Sequence, residues 1–426
     1  MHLPTSPLPG YTRKMNTTRS ISLFSLVFLT LSALPLFSES PDARAYLPRD
    51  NYRALLEPIN GVYTGAGQDA SGVDGYLRAL GKERAPVIYM TYTGLKWDVD
   101  GDMARLARDL AEVEAKTGAY CVAQIGLSMT VDGTPSAHYE DEVAEGKCDA
   151  AIDALCRGIR DLGHPVILRI GYEFNGAAWN GYDSESYKAA FRRIAQRIRD
   201  QKLECATCWD ASANAGTMGH VMDFYPGDEW VDWWGINLFL STEFTDPAVE
   251  RFMAAARAHR KPVLIGESTP RSVGVLKGAA SWKGWFARYF DFIAGHPGVK
   301  AFSYINWDWA RYPQWSDWGD ARLERNELVA RKFADEIARP PFILGRGERE
   351  LRESFGEVYG PAERVAPAQP RGLRAAVRSG GVALSWEGDT AVRRWIVLRG
   401  KDVVATTGIP SYFDRSSARV KRRPTR

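Results

Sequence analysis

Between about residues 55 and 335, short apolar β-favouring runs alternate with stretches of helical period. This alternation constrains the fold more than any other property of the chain. The β runs begin near Gly61, Pro86, Ala119, Pro165, Leu203, Val231, Pro262 and Val299. Between them, apolar residues recur at three- to four-residue spacing over 103–116, 150–160, 186–200 and 247–259, and Gly163 and Pro262 stand where helices would end. A β-then-α unit repeated in this way predicts an α/β fold, a (β/α)8 TIM barrel, which takes about 250 residues. An open doubly wound sheet is the competing architecture. It would carry a glycine-rich phosphate turn after its first strand, whereas GAGQDASG at 65–72 opens no helix of that kind.

In such a barrel the chemistry sits at the carboxyl ends of the strands. Here those ends are polar and aromatic: Trp97 after the second, Glu173 after the fourth, Trp209 and Asp210 after the fifth, and Asn237 with Phe239 after the sixth. Glu267 follows the seventh, and Asn306, Trp307 and Asp308 follow the eighth. The fourth run, PVILRIGYEFNG, delivers Glu173; the seventh, KPVLIGES, delivers Glu267. One glutamate at a strand end reads as a surface charge or a salt bridge. Two, on strands that face each other across a barrel mouth and with Asn and Trp beside them, read as the carboxyl pair of glycoside hydrolysis. A retaining enzyme needs the two about 5–5.5 Å apart.

Four residues before Glu173, Arg169 points into the barrel, to support a catalytic carboxylate or to make a structural ion pair. Asn175 binds a sugar hydroxyl or holds a turn. Trp179 and Trp307 are candidate sugar platforms, and Trp307 is flanked by polar Asn306 and Asp308. Asp317-Trp318-Gly319 reads as loop structure.

The net charge of +3 gives no reason to expect nucleic acid as a partner. The six histidines are scattered singly, so no metal or organic cofactor is expected. The five cysteines are odd in number, and Cys205-Ala-Thr-Cys208 lies inside an apolar run with no second such pair, which points to buried thiols or one bridge. Residues 1–45 read as an export signal: Arg13, Lys14 and Arg19 precede an apolar run over 21–37, and Ala43-Arg44-Ala45 offers a small-x-small cleavage site. That run is shorter than the ~20 residues of a membrane span. A soluble, secreted or periplasmic monomer free of the membrane after cleavage is therefore expected, an uncleaved anchor being the alternative.

The barrel is expected over 46–338 and a linker or wrapping segment, rich in Pro, Gly and charge, over 339–370. Alternating β strands follow over 371–414, with a basic, disordered tail over 415–426. The β segment resembles the first strands of a fibronectin type III module. It covers about 50 residues where such a sandwich takes ~100, which implies a truncated module.

The segment RIGYEFNGAAW is similar to the acid/base motif of glycoside hydrolase family 26, the mannanase-type barrels of clan A. FYPGDEWVDWWGINLF resembles that family's sixth-strand segment, KPVLIGES its nucleophile strand and VKAFSYINWDW its eighth strand; the second strand, ending at Trp97, also fits. The resemblance implies Glu173 as acid/base, Glu267 as nucleophile, and a polysaccharide or oligosaccharide as the partner. It has departures. Tyr172 stands where the family has His, Asn237 and Phe239 stand where it has Asp and Tyr, and Ser-Thr-Pro-Arg follows Glu267. Tyr172 could supply the hydroxyl that Phe239 lacks. The expectation is a secreted retaining endo-β-glycanase. The alternative is a non-catalytic carbohydrate-binding or structural protein on a degenerate barrel.

Overall fold

The computed structural model describes residues 31–32, 54–131, 137–356 and five strand segments within 371–414. Most of the expected export signal, residues 357–370 and the basic tail lie outside the described residues.

Each predicted run holds a barrel strand. These are β1 (Val62–Tyr63, continued by Gly65–Gly67), β2 (Ile88–Gly94), β3 (Val122–Ser128), β4 (Val166–Ile170), β5 (Cys205–Ser212), β6 (Trp233–Leu238), β7 (Val263–Ser268) and β8 (Val299–Ile305). Neighbours pair in parallel from β1 round to β8, and β8 pairs with both β7 and β1, which closes the barrel. Around it lie α1 (Ala70–Leu80), α2 (Val99–Thr117), α3 (Asp149–Leu162), α4 (Ser184–Asp200), α5 (Pro247–Ala258), α6 (Ala287–Gly295) and α7 (Glu327–Ile337). The fifth unit departs from the pattern, with a 3₁₀ stretch, Met218–Phe224, between β5 and β6.

Five of these seven helices begin where a short polar side chain satisfies a free backbone N–H. Asp69, Asp98, Asp183, Asp246 and Asn326 each accept such a bond at the start of α1, α2, α4, α5 and α7. Gly118 and Gly163 end α2 and α3 in the left-handed conformation, which a residue without Cβ adopts at no steric cost.

Strand alternation sorts the side chains into two cores. Outward residues such as Leu168, Trp209 and Ile265 pack under the helices. Inward residues Tyr63, Ile88, Val122, Ile167, Cys208, Trp233, Leu264 and Ala301 fill the amino-terminal end of the barrel. One step further along the strands the inward positions turn polar, with Gln124, Arg169, Asp210 and Ser303 all fully buried. This second layer is the floor of the candidate site.

All five cysteines are buried, and none is in a disulfide bond. Cys205 and Cys208 lie three residues apart on β5, so they face opposite sides of the sheet and cannot pair. The wrapping segment is described as far as residue 356. A ninth strand, β9 (Phe342–Ile343), adds in parallel to Val62–Tyr63, and a short helix, Glu348–Ser354, buries Leu351 beneath the barrel. Further on, Arg371–Arg378, Gly381–Glu387 and Ser411–Asp414 form an antiparallel sheet, and Trp395–Arg399 pairs antiparallel with Asp402–Thr407. Among the described residues, no helix is long and apolar enough to cross a membrane.

Candidate active site

β4 runs straight in register, so Ile167 and then Arg169 point inward. After Ile170 the chain turns sharply through Gly171 (φ 58°) and Glu173 (φ 55°). A left-handed backbone at a residue with a Cβ costs on the order of 1–3 kcal/mol and marks a place the fold holds deliberately. Three bonds hold it: Glu173 N donates to Asp210 O at 2.8 Å, and Asn180 Nδ2 donates to Tyr172 O and Glu173 O, each at 2.9 Å.

β7 reaches its glutamate differently. Leu264 points in and Ile265 out, so simple alternation would turn Glu267 outward. The pairing with β6 slips by one residue: Ile236 lies opposite Ile265, but Asn237 lies opposite Glu267. Gly266 is the extra residue of this bulge, and Glu267 is thereby re-aimed into the mouth. Gln124 Nε2 holds the bulge by donating to Gly266 O at 2.7 Å, and Ser303 Oγ donates to Gln124 Oε1 at 2.7 Å.

A continuous chain of polar contacts joins the two glutamates. Asn237 Nδ2 donates to Glu173 Oε1 at 3.1 Å. Arg169 Nη1 reaches Asn237 Oδ1 at 3.4 Å, Glu267 Oε1 at 2.9 Å and Asp210 Oδ1 at 3.2 Å. Burial, and then the charge of Glu267, push the Glu173 carboxyl up to about 8, against the hydrogen bond from Asn237. Burial opposes the charge on Arg169, but Asp210 and Glu267 outweigh it and hold the guanidinium firmly protonated. The arrangement holds one proton-bearing carboxyl beside one cation-paired carboxylate.

The other sequence-derived candidates fall into two groups. Tyr172 lies beside the pair, its ring 5.1 Å from the Arg169 guanidinium carbon. Trp97 is exposed at the mouth, and Trp179 and Trp307 are half-buried. Asn175, by contrast, is buried and spent within the fold: it exchanges hydrogen bonds with the backbone of Ser212, at 2.8 and 2.9 Å. Asp308 pairs with Arg322 at 2.9 Å. The Phe239 ring packs 5.1 Å from Trp318.

Residues outside that candidate set also stand here. The Tyr92 ring is 5.3 Å from Tyr172. Burial, and then the charge of Glu267, raise the Tyr92 hydroxyl well above the usual phenol range. The inward alternation of Ile88, Met90 and Tyr92 along β2 is the signal that points to it. Trp318, in the stretch that reads as plain loop, packs at a tilt against Trp309 with ring centroids 5.0 Å apart and lies 4.5 Å from the Arg271 guanidinium, and nearby Trp315 is exposed.

A parallel barrel with a polar, carboxylate-bearing mouth is a scaffold of glycoside hydrolases, and the comparisons with known proteins agree: the chain is a glycoside hydrolase. The particular match is to Glycosyl hydrolase family 26, over residues 95–277. A β-1,3-xylanase of a Vibrio species is 28% identical over 336 residues, covering 72% of this chain and 71% of that protein. A β-1,3-xylanase of an Alcaligenes species is 30% identical over 319 residues, covering 68% and 66%. The fold is shared with a family 26 β-mannanase from Bacteroides ovatus, at 15% identity and a TM-score of 0.52 over 76% of this chain and 100% of the other.

Proposed function

We propose that the chain is an extracytoplasmic, retaining endo-β-glycanase of family 26 whose polymer is β-1,3-xylan. The observation that carries the mechanism is the pairing of unlike carboxyls: Glu173 is pushed up to about 8, while Glu267 lies against Arg169 at 2.9 Å. In this reading Glu173 donates its proton to the leaving glycosidic oxygen as Glu267 attacks the anomeric carbon. Glu173, now ionised, then takes a proton from the water that releases the sugar. Asn237 holds Glu173 and Arg169 holds Glu267, Tyr92 and Tyr172 lie beside them, and Trp97, Trp179 and Trp307 offer sugar-facing planes. The choice of β-1,3-xylan rests on the two xylanases that are 28% and 30% identical to the chain over 336 and 319 aligned residues. The export signal over 1–45 supports action outside the cytoplasm, and the strands over 371–414 are read as a partial fibronectin type III-like accessory.

Three measurements test this. Proton NMR in the first minutes of hydrolysis should show β-configured reducing ends; α-configured product would sink retention. In a panel of purified polysaccharides, β-1,3-xylan should be cleaved fastest. Faster cleavage of mannan would overturn the choice of polymer and leave the mechanism standing. Unchanged activity in Glu267→Ala would favour neither and would refute the assignment of the pair.

A further inference from the structure

Arg169 serves two carboxylates with one nitrogen. Its Nη1 reaches Glu267 Oε1 at 2.9 Å and Asp210 Oδ1 at 3.2 Å. Asp210 comes from β5 and is fully buried. Its second oxygen, Oδ2, has no hydrogen-bond partner among the described residues, and neither has Arg169 Nε. Both unpartnered atoms belong to this one ion pair. A guanidinium and a carboxylate can form two parallel bonds, and the pair here makes one. The space around Oδ2 is kept open by glycines: a Cβ on Gly235 or Gly266 would lie 2.2 or 2.3 Å from it. Asp210 is therefore a buried group built against Arg169 and only partly used in the resting arrangement.

The proposed double displacement, on which this inference rests, changes the charge on the other partner. When Glu267 attacks, its oxygen bonds to the anomeric carbon. The electron pair of the broken C–O bond leaves with the glycosidic oxygen, and Glu173 protonates that oxygen. Glu267 is then a neutral ester and Arg169 is left buried with its closest counter-charge gone. A buried cation that loses its counter-charge is strongly destabilised. We infer that Asp210 is a positioning residue that shares Arg169 with Glu267 in the free enzyme and takes over the guanidinium when Glu267 becomes the glycosyl ester, its proton passing to solvent.

The groups facing Asp210 agree with a hand-over. Arg169 comes from β4, Glu267 from β7, Asn237 from β6, and Glu173 from the turn after β4, whose N–H donates to Asp210 O. Cys208 on its own strand and Tyr187 on α4 are also within reach of its charge. Burial pushes the Asp210 carboxyl up to about 7, Arg169 opposes this, and the charge of Glu267 adds to it. Esterifying Glu267 removes the last influence and leaves the guanidinium to Asp210 alone, so the carboxyl ionises more readily.

The test uses the whole wild-type chain with aspartate carboxyl carbons labelled with carbon-13 and the Asp210 signal assigned through its own backbone. The protein is titrated free, and again after reaction with 2,4-dinitrophenyl 2-deoxy-2-fluoro glycosides of β-1,3-xylobiose and of β-1,4-mannobiose. Mass spectrometry locates the adduct. An adduct on Glu267 with the Asp210 midpoint lowered by at least about one pH unit, a tenfold change in its ionisation, is the expected result. An adduct on Glu267 with an unmoved or raised midpoint overturns the hand-over and leaves the double displacement intact. No adduct from either probe refutes the double displacement, and the inference with it. A second arm is kinetic. Asp210→Asn keeps the shape, and a merely structural role would lower kcat without moving the pH profile. The charge of Asp210 helps to raise Glu173, so the alkaline limb of kcat/KM should move to lower pH. A folded Asp210→Asn with an unmoved limb counts against the proposal; if the variant does not fold, the wild-type titration decides.

Discussion

At the scale of the residue, Glu173 carries the clearest consequences. Its carboxyl must be protonated to act as an acid, and burial with the Glu267 charge holds the proton up to about 8. Activity on the polymer should therefore fall as pH rises through about 8, which a pH profile of kcat/KM checks. Glu173→Ala should lose about 10²–10⁴-fold in kcat on polysaccharide and far less on a dinitrophenyl glycoside, whose leaving group needs no proton. Stability moves in the same direction. The folded-state affinity for the proton exceeds that of the unfolded chain, near the ordinary carboxyl value of 4.5, so the folded state binds more protons between 4.5 and about 8 and loses stability as pH rises across that window. Glu173→Gln removes this dependence. Its melting temperature relative to wild type should climb over that window and level off above it. A difference that stays flat with pH would refute the cause given. Much of this was legible in the sequence. Both glutamates follow apolar runs, and the spacing of Arg169 from Glu173 aims the arginine inward. The roles of Asp210 and Tyr92 were not, because a partner drawn from another strand depends on barrel registration, which no local pattern records.

At the scale of the element, β7 shows how a backbone irregularity makes a site. The run VLIGES reads as an apolar strand ending in a glutamate, but regular alternation would bury Glu267 under the helices. The slip between Ile236 and Asn237 corrects its aim. Gly266 is needed because the bulge packs its Cα into the polar layer. A Cβ there would lie 2.3 Å from Asp210 Oδ2, 2.9 Å from Asn237 Oδ1 and 3.0 Å from Arg169 Nη1. Gly266→Ala should cost about 1–3 kcal/mol in denaturant unfolding, as overpacked interiors do, and should lower kcat more than it raises KM, since it displaces the groups that hold Glu267. Wild-type kinetics in this variant would show that the bulge tolerates rearrangement. The period-two pattern that locates strands is blind to a one-residue insertion, so the strand was legible and its bulge was not. The loop after β8 has the same character. Its tryptophans look like isolated aromatics in sequence, whereas Trp309, Trp315 and Trp318 form one cluster through ring contacts of 5.0 and 5.5 Å.

At the scale of the whole molecule, the barrel is finished by chain that its alternating pattern does not include. Composition places the end of the barrel at 338, because Pro, Gly and charge break the β/α rhythm there. The segment that follows nevertheless closes the amino-terminal end. Val62 N donates to Pro341 O at 2.9 Å, Thr64 N to Ile343 O at 3.1 Å, Gly345 N to Ala85 O at 2.7 Å and Tyr120 N to Arg346 O at 2.8 Å. Tyr63 and Ser354 share a hydroxyl contact at 2.6 Å, and Leu351 is buried against the apolar layer that contains Tyr63 and Trp233. Removing residues 339 onward would strip partners from these backbone groups and expose that layer. The loss of Leu351 alone is worth about 2–3 kcal/mol, and each stranded backbone group adds about 1–3 kcal/mol. A chain ending at 338 should melt at least about 10 °C lower than one ending at 356, or fail to fold. The chain ending at 356 should keep full activity on soluble oligosaccharides, because every group of the candidate site lies before it. Equal melting temperatures for the two truncations would show that the wrapping segment only rests on the barrel, and that the boundary lies where composition alone would put it.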